Sequence, residues 1–281
     1  MRVTNTNPFE FDSQEPESPV DIEAVRKKLA ELLIDDVLIE QVCTRVRGNA
    51  IGVLLYGSWA RGEASATSDV DLLVVSQFRA DSGMEGKLSL SAYTPNQLAD
   101  ARATLFGMHL ARDGIALHDT EGRMAEILST FTLPDPHELL QRIREFSIVL
   151  DLPREEQSTY LPGLCQVARY LLRTAIYALA LRDGRPCFSI GELAVRFNQP
   201  ELTILLSSQP EQYPAPSLGV LDDLRQRLTE VVGAPGDNPF GSLHALIVGS
   251  STSNPDLEKL ATLVLGVDES LPYAELPKVI L

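Results

Sequence analysis

Two short apolar runs, AIGVLLY (50–56) and DVDLLVVS (69–76), limit the folds open to this chain more than any other feature. Between them lies GSWARGEASATS (57–68), a loop of small and polar residues with the start of a helical turn. The first run is bounded by glycine, and the second is strongly β-branched once its leading acids are passed. Each therefore predicts a buried strand. Upstream, Asp21 is placed to cap a helix through IEAVRKKLAELLI, and a second helical pattern, VLIEQVCTRVRG, ends near Gly48. Downstream, a polar turn, RADSGMEG (79–86), leads into KLSLSAYT (87–94), whose alternation predicts a strand with one exposed face. Helical patterns cover 95–112 and 120–130, and His118-Asp119 falls at a strand or turn.

Proline and acids at LPDPHE (133–138) read as a linker. Beyond it the pattern is helical over 137–151, 160–183, 189–198 and 217–232, with Gly/Pro/Asn/Ser breaks in the last fifty residues. The expected fold class is α+β. A disordered acidic tail (1–19) precedes a domain of mixed β-sheet with flanking helices (20–132), and an α-helical domain (137–281) follows.

The loop and the second strand carry the chemistry. Residues two apart on a strand point the same way, so Asp69 and Asp71 present two carboxylates to one site. Hard oxygen donors on one face suit Mg²⁺. Gly57 lets the backbone approach a nucleotide closely, Ser58 offers an amide and a hydroxyl to a phosphate oxygen, and Gly62 relieves the turn. Together these features suit metal-assisted phosphoryl transfer. A lone Asp-x-Asp is usually a solvated strand edge, and a lone Gly-Ser says almost nothing. The weight comes from both at tight spacing, each attached to an apolar strand.

This order of GS, a further RG, then SDxDLLV resembles the DNA polymerase β-like nucleotidyltransferase superfamily over roughly residues 20–130, with its specific part at 57–75. The resemblance implies that Gly57 and Ser58 are the triphosphate-binding pair and that Asp69 and Asp71 are metal-binding aspartates. It implies transfer of a nucleoside monophosphate from an NTP, with ATP expected, to an acceptor hydroxyl, using Mg²⁺. One ion then holds the triphosphate and a second activates the attacking oxygen. Arg61 either approaches the phosphates or anchors the loop through a salt bridge. Trp59 reads as packing, with base stacking left open. The chain also departs from the pattern. The family takes a third carboxylate from a neighbouring strand, whereas KLSLSAYT offers Lys87, Ser89, Ser91 and Tyr93, so Ser89 or Ser91 falls in that place. Three explanations stand: an acid from elsewhere (Glu63, Asp81, Glu85 or the helical half), an acceptor that brings its own activation, or a domain that does not transfer.

Composition narrows the partners. With 39 acidic against 24 basic residues and a net charge of −15, the chain is poorly suited to phosphate neutralisation, so nucleic acid is disfavoured. A cationic small molecule or a basic protein patch is a better match. Three scattered cysteines, Cys43, Cys165 and Cys187, make neither a disulfide framework nor a zinc site, and no two of the four histidines stand at ligand spacing. Neither a membrane span nor a signal-peptide core is evident, so the cytoplasm is the expected compartment. In the helical half, Gln166, Arg169, Arg173 and Tyr177 form a polar stripe. It is either a solvated face or one that brings an arginine to the triphosphate or acceptor. An N-terminal nucleotidyltransferase domain followed by helices resembles the antibiotic nucleotidyltransferases and the minimal nucleotidyltransferases whose helical partner is fused or encoded alongside, and modification of a protein partner would be as in toxin–antitoxin and phage-defence systems. Two functions follow as expectations: an NMP transferase acting on a small-molecule or protein acceptor, or a reduced module serving as an antitoxin or nucleotide sensor.

Overall fold

The computed structural model describes residues 17–77, 82–207 and 214–266, which divide into two compact units between Leu133 and Pro134. In the first unit, the run AIGVLLY gives β2 (Asn49–Ala50) and β3 (Gly52–Tyr56). Strand β1 (Ser18–Pro19) pairs antiparallel with β2. Residues 1–16 of the tail expected to be disordered lie outside the described residues. Ser18, by contrast, hydrogen-bonds Thr120 at 2.8 Å and His118 at 3.3 Å.

The main sheet is completed by β4 (Val70–Val75), β5 (Gly83–Glu85), β6 (Leu88–Tyr93) and β7 (Ile115–Asp119), in the order β5-β6-β4-β3-β7. Only β4 and β6 run parallel; the other neighbours are antiparallel. One face, with Val53, Leu55, Val70, Leu72, Val74, Leu88 and Leu90, is buried in a single core with residues of α1 (Ile22–Glu31) and α2 (Asp36–Arg45). Asp21 caps α1, as its position in the sequence predicts, by accepting from the Ala24 amide at 3.0 Å. The helix over Gly57–Ala60 is α3. The opposite sheet face meets α4 (Pro95–Ala99), α5 (Leu105–Asp113) and α6 (Arg123–Ser129), with Phe106 edge-on to Tyr56 and Met124 lying over Gly52.

Three expectations change in detail. The polar turn at 79–86 contains the edge strand β5, because Gly83–Glu85 find ladder partners on β6. The helical pattern over 95–112 is two helices, since Thr104 caps a fresh start by accepting from the Gly107 amide. Strand β6 has no solvent-exposed face: Ser91 is 1% exposed, and Ser89 and Ala92 are only half-buried positions. The helices on that side cover what alternation alone assigned to water.

The second unit contains α7 (Pro136–Phe146), α8 (Arg154–Thr159), α9 (Leu161–Arg182), α10 (Ile190–Arg196), α11 (Leu202–Leu205), α12 (Leu218–Val232), α13 (Leu243–Ser250) and α14 (Pro255–Val264). Among the described residues, α9 is the one helix long and apolar enough to cross a membrane, and 72% of that window is buried within the protein. A helix apolar on most sides is a core helix when others surround it, and here α7, α12 and α14 share its core. Of the polar stripe on α9 only Gln166 is exposed, while Arg169, Arg173 and Tyr177 are buried or half-buried. Arg169 is buried, donating through Nε to the Leu205 carbonyl at 3.1 Å and through Nη2 to that of Pro214 at 2.9 Å. Arg173 donates to the Leu206 carbonyl. The last carbonyls of a helix lack intrahelical donors, and these arginines supply them at the end of α11.

At its N-terminal end α9 crosses α14 in backbone contact: a Cβ on Gly163 would lie 2.1 Å from the Val264 carbonyl oxygen. Gly163→Ala is expected to destabilise this unit by about 1–3 kcal/mol, since backbone cannot yield as a side chain does. Chemical denaturation with an unchanged midpoint would contradict that.

Candidate active site

The sequence-chosen residues meet where β3 ends and β4 begins. Tyr56 ends β3, and Gly57 turns the chain into α3 with φ +78°, a left-handed conformation that side chains disfavour. The space is taken as well: a Cβ on Gly57 would stand 2.3 Å from Oδ2 of Asp71. Asp71 therefore rests directly against the Gly57 backbone. Ser58 is half-buried on α3, and its hydroxyl makes no hydrogen bond among the described residues. Asp69 is exposed just before β4, and Asp71 is half-buried as its second residue.

The sheet register lines up three side chains. Tyr56 on β3 is opposite Asp71 on β4, which is opposite Ser89 on β6. From its place opposite, the Ser89 hydroxyl favours the charged form of the Asp71 carboxyl. Burial, reinforced by the neighbouring charge of Asp69, pushes the Asp71 carboxyl up to about 7, against the pull of Ser89 and of Arg61. Two carboxylates held this way, one in a desolvated place, are an environment that a cation relieves.

Arg61 follows α3 and is anchored: Nε donates to Glu63 at 2.9 Å and Nη1 to His109 at 2.9 Å. The loop-anchoring salt bridge is thus present, and the guanidinium also acts electrostatically on Asp71. His109 was not legible as part of this region. It lies inside what reads as an ordinary helix, about fifty positions beyond the loop. Nor did any signal mark the buried hydrogen bond between the Tyr56 and Ser91 hydroxyls, at 3.3 Å. Trp59 is partly buried against the α1/α2 side of the sheet, so it packs, while its indole N–H has no hydrogen-bond partner among the described residues.

The candidates for a third acid can be placed. Glu63 is engaged by Arg61. Glu85 pairs across the ladder with Leu88, a residue of the α1/α2-side core, and approaches Arg45 of α2 at 3.8 Å. Directly paired residues share a face, so Glu85 is on the wrong side of the sheet. Asp81 lies outside the described residues. No cluster of three or more His, Cys, Asp or Glu placed to hold a metal occurs among the described residues. A serine, neither basic nor apolar, stands beside Asp71.

This donor set suits one Mg²⁺ better than two. Magnesium is commonly held by one or two carboxylates, with substrate phosphates and water completing the octahedron. Asp69 and Asp71 meet that need. On the acceptor side the described residues of the sheet place the Ser89 hydroxyl beside Asp71, a poor substitute for a carboxylate toward a second ion.

Residues 36–107 match the family described as Nucleotidyltransferase domain, a span that begins with α2 and takes in α3, β4 and β6. No curated protein gives a match to the chain.

Proposed function

We propose, from the first unit's membership of the DNA polymerase β-like nucleotidyltransferase superfamily, that this protein transfers a nucleoside monophosphate from a Mg²⁺-bound NTP, ATP in the first instance, to a hydroxyl of a small-molecule or protein acceptor. Nucleotidyl transfer is the general chemistry of such a domain. In this reading the transferase domain occupies 20–132 and the helical domain, 137–281, receives the acceptor or partner. Gly57 and Ser58 approach the triphosphate, and Asp69 and Asp71 hold the cation that accompanies it. When bound, Mg²⁺ neutralises charge on the phosphates as a Lewis acid. The observation that carries the reading is the seating of Asp71 against the left-handed Gly57 backbone, with Asp69 close enough to raise its proton affinity. Arg61 contributes a fixed positive charge beside the carboxylates. The net charge of −15 supports a cationic acceptor or a basic patch on a protein over RNA.

Ser89 in the place of the third acid supports a second reading, a module that binds nucleotide and regulates a partner without transferring. One experiment separates the two. The protein is incubated with each α-labelled NTP, Mg²⁺ and cell extract, and the label is followed into RNA, protein and small molecules. Metal-dependent label in protein or a small molecule is expected. Tight NTP binding with no labelled product favours the module. If calorimetry gives the same NTP affinity in excess chelator, both readings fail at their common root.

A further inference from the structure

We infer that His109 is a positioning residue of this site, its Nε2 lone pair fixing the Arg61 guanidinium beside Asp71 and the incoming triphosphate. The inference rests on the nucleotide-binding reading above. A guanidinium has only donors. At 2.9 Å from Arg61 Nη1, His109 Nε2 must therefore accept, which leaves the ring neutral with its proton on Nδ1. Both partners are well covered, with side chains 17% and 16% exposed.

Facing the imidazole are, among others, Arg61 from the loop, Arg112 and Asp113 from its own helix α5, and the Tyr56 ring from β3. Asp113 Oδ2 lies 3.7 Å from Nε2, and the Tyr56 ring stands edge-on at 5.9 Å between centroids. Burial first, and then the two arginines, hold the ring down to about 3. A neutral acceptor has a consequence that a carboxylate would not. Glu63 already takes Nε of Arg61, and a second acid at position 109 would oppose the remaining positive charge. The imidazole instead fixes the direction of the guanidinium and leaves its charge to act on Asp71 and on phosphate.

The test compares His109→Gln, which keeps an acceptor near the Nε2 position, with His109→Leu, which keeps bulk only. MgATP affinity is measured by calorimetry and folding by thermal denaturation. The leucine variant is expected to bind about tenfold or more weakly, the effect of losing one charge-assisted hydrogen bond. The glutamine variant is expected to stay within about threefold of wild type. Equal weakness in both variants, or wild-type affinity in His109→Leu, overturns the inference. A second readout needs neither nucleotide nor a folded leucine variant. Side-chain ¹⁵N spectra of the wild-type protein should show His109 as the neutral Nδ1–H tautomer down to pH 5, and an imidazolium signal at pH 6 overturns it as well. Failure of wild type to bind MgATP, with the neutral tautomer still present, instead condemns the nucleotide-binding reading and leaves the Arg61–His109 arrangement standing.

Discussion

Asp71→Asn is expected to lower metal-dependent nucleotidyl transfer by roughly a thousandfold or more, an effect of about 4 kcal/mol on the barrier, while making the metal-free protein more stable at pH 8. The two effects share one cause. Asp71 sits where burial and Asp69 both disfavour its charged form, so its carboxyl titrates at about 7 in place of the ordinary value of 3.8. A folded state that holds a proton more tightly than the unfolded chain loses stability as pH rises through the interval between the two values. The penalty is therefore absent below about pH 4, builds toward pH 7 and is complete above it. Asparagine removes the charge and with it the penalty, on the order of 1–3 kcal/mol after allowance for partial exposure. Denaturation midpoints should show the variant ahead at pH 8 and level with wild type near pH 4. A variant that is no more stable at pH 8 would mean that Asp71 is solvated. The same carboxylate makes Mg²⁺ binding compete with a proton, so affinity for the ion should climb up to about pH 7 and then level off.

Gly57→Ala is expected to be as damaging to nucleotide binding, by a different route. The left-handed φ of +78° disfavours any side chain by about 1–2 kcal/mol. The added methyl would also stand 2.3 Å from Asp71 Oδ2 and would have to push that carboxylate aside. Overpacking adds about 1–3 kcal/mol, and the displaced ligand should weaken MgATP binding by about a hundredfold or more. Gly62→Ala separates the two contributions. Gly62 has a similar left-handed φ, +70°, but a Cβ there would meet nothing within 4 Å. It should show the strain alone, with nucleotide affinity close to wild type. If both alanines bind MgATP equally, contact with Asp71 is not what requires glycine at position 57.

The parts of this molecule that were legible in the sequence are those whose physics is local. The strands β3 and β4 declared themselves by apolar, β-branched runs, and the Asp21 cap by its place before an amphipathic stretch. The two aspartates and the Gly-Ser turn stood out because they are close together in the chain. What stayed hidden depends on partners brought from far away. Strand β5 has a turn-like composition and is a strand only because β6 offers it a ladder. The buried side of β6 follows from helices later in the chain, and His109 acquires its partner across 48 positions. Arg169 and Arg173 have the spacing of a surface stripe, and only the end of α11 gives them buried carbonyls to satisfy. The serine opposite Asp71 lies between these extremes. KLSLSAYT named the two candidates, and the parallel β4–β6 register selects Ser89.

The burial of α9 has a practical consequence for anyone cutting this chain into fragments. Its flank is closed at the N-terminal end by α14, whose Val264 backbone touches Gly163, so a piece ending after α12 leaves that end of a long greasy helix uncovered. Such fragments should aggregate or partition into detergent, and expression trials that keep residues 136–264 together should yield the soluble product.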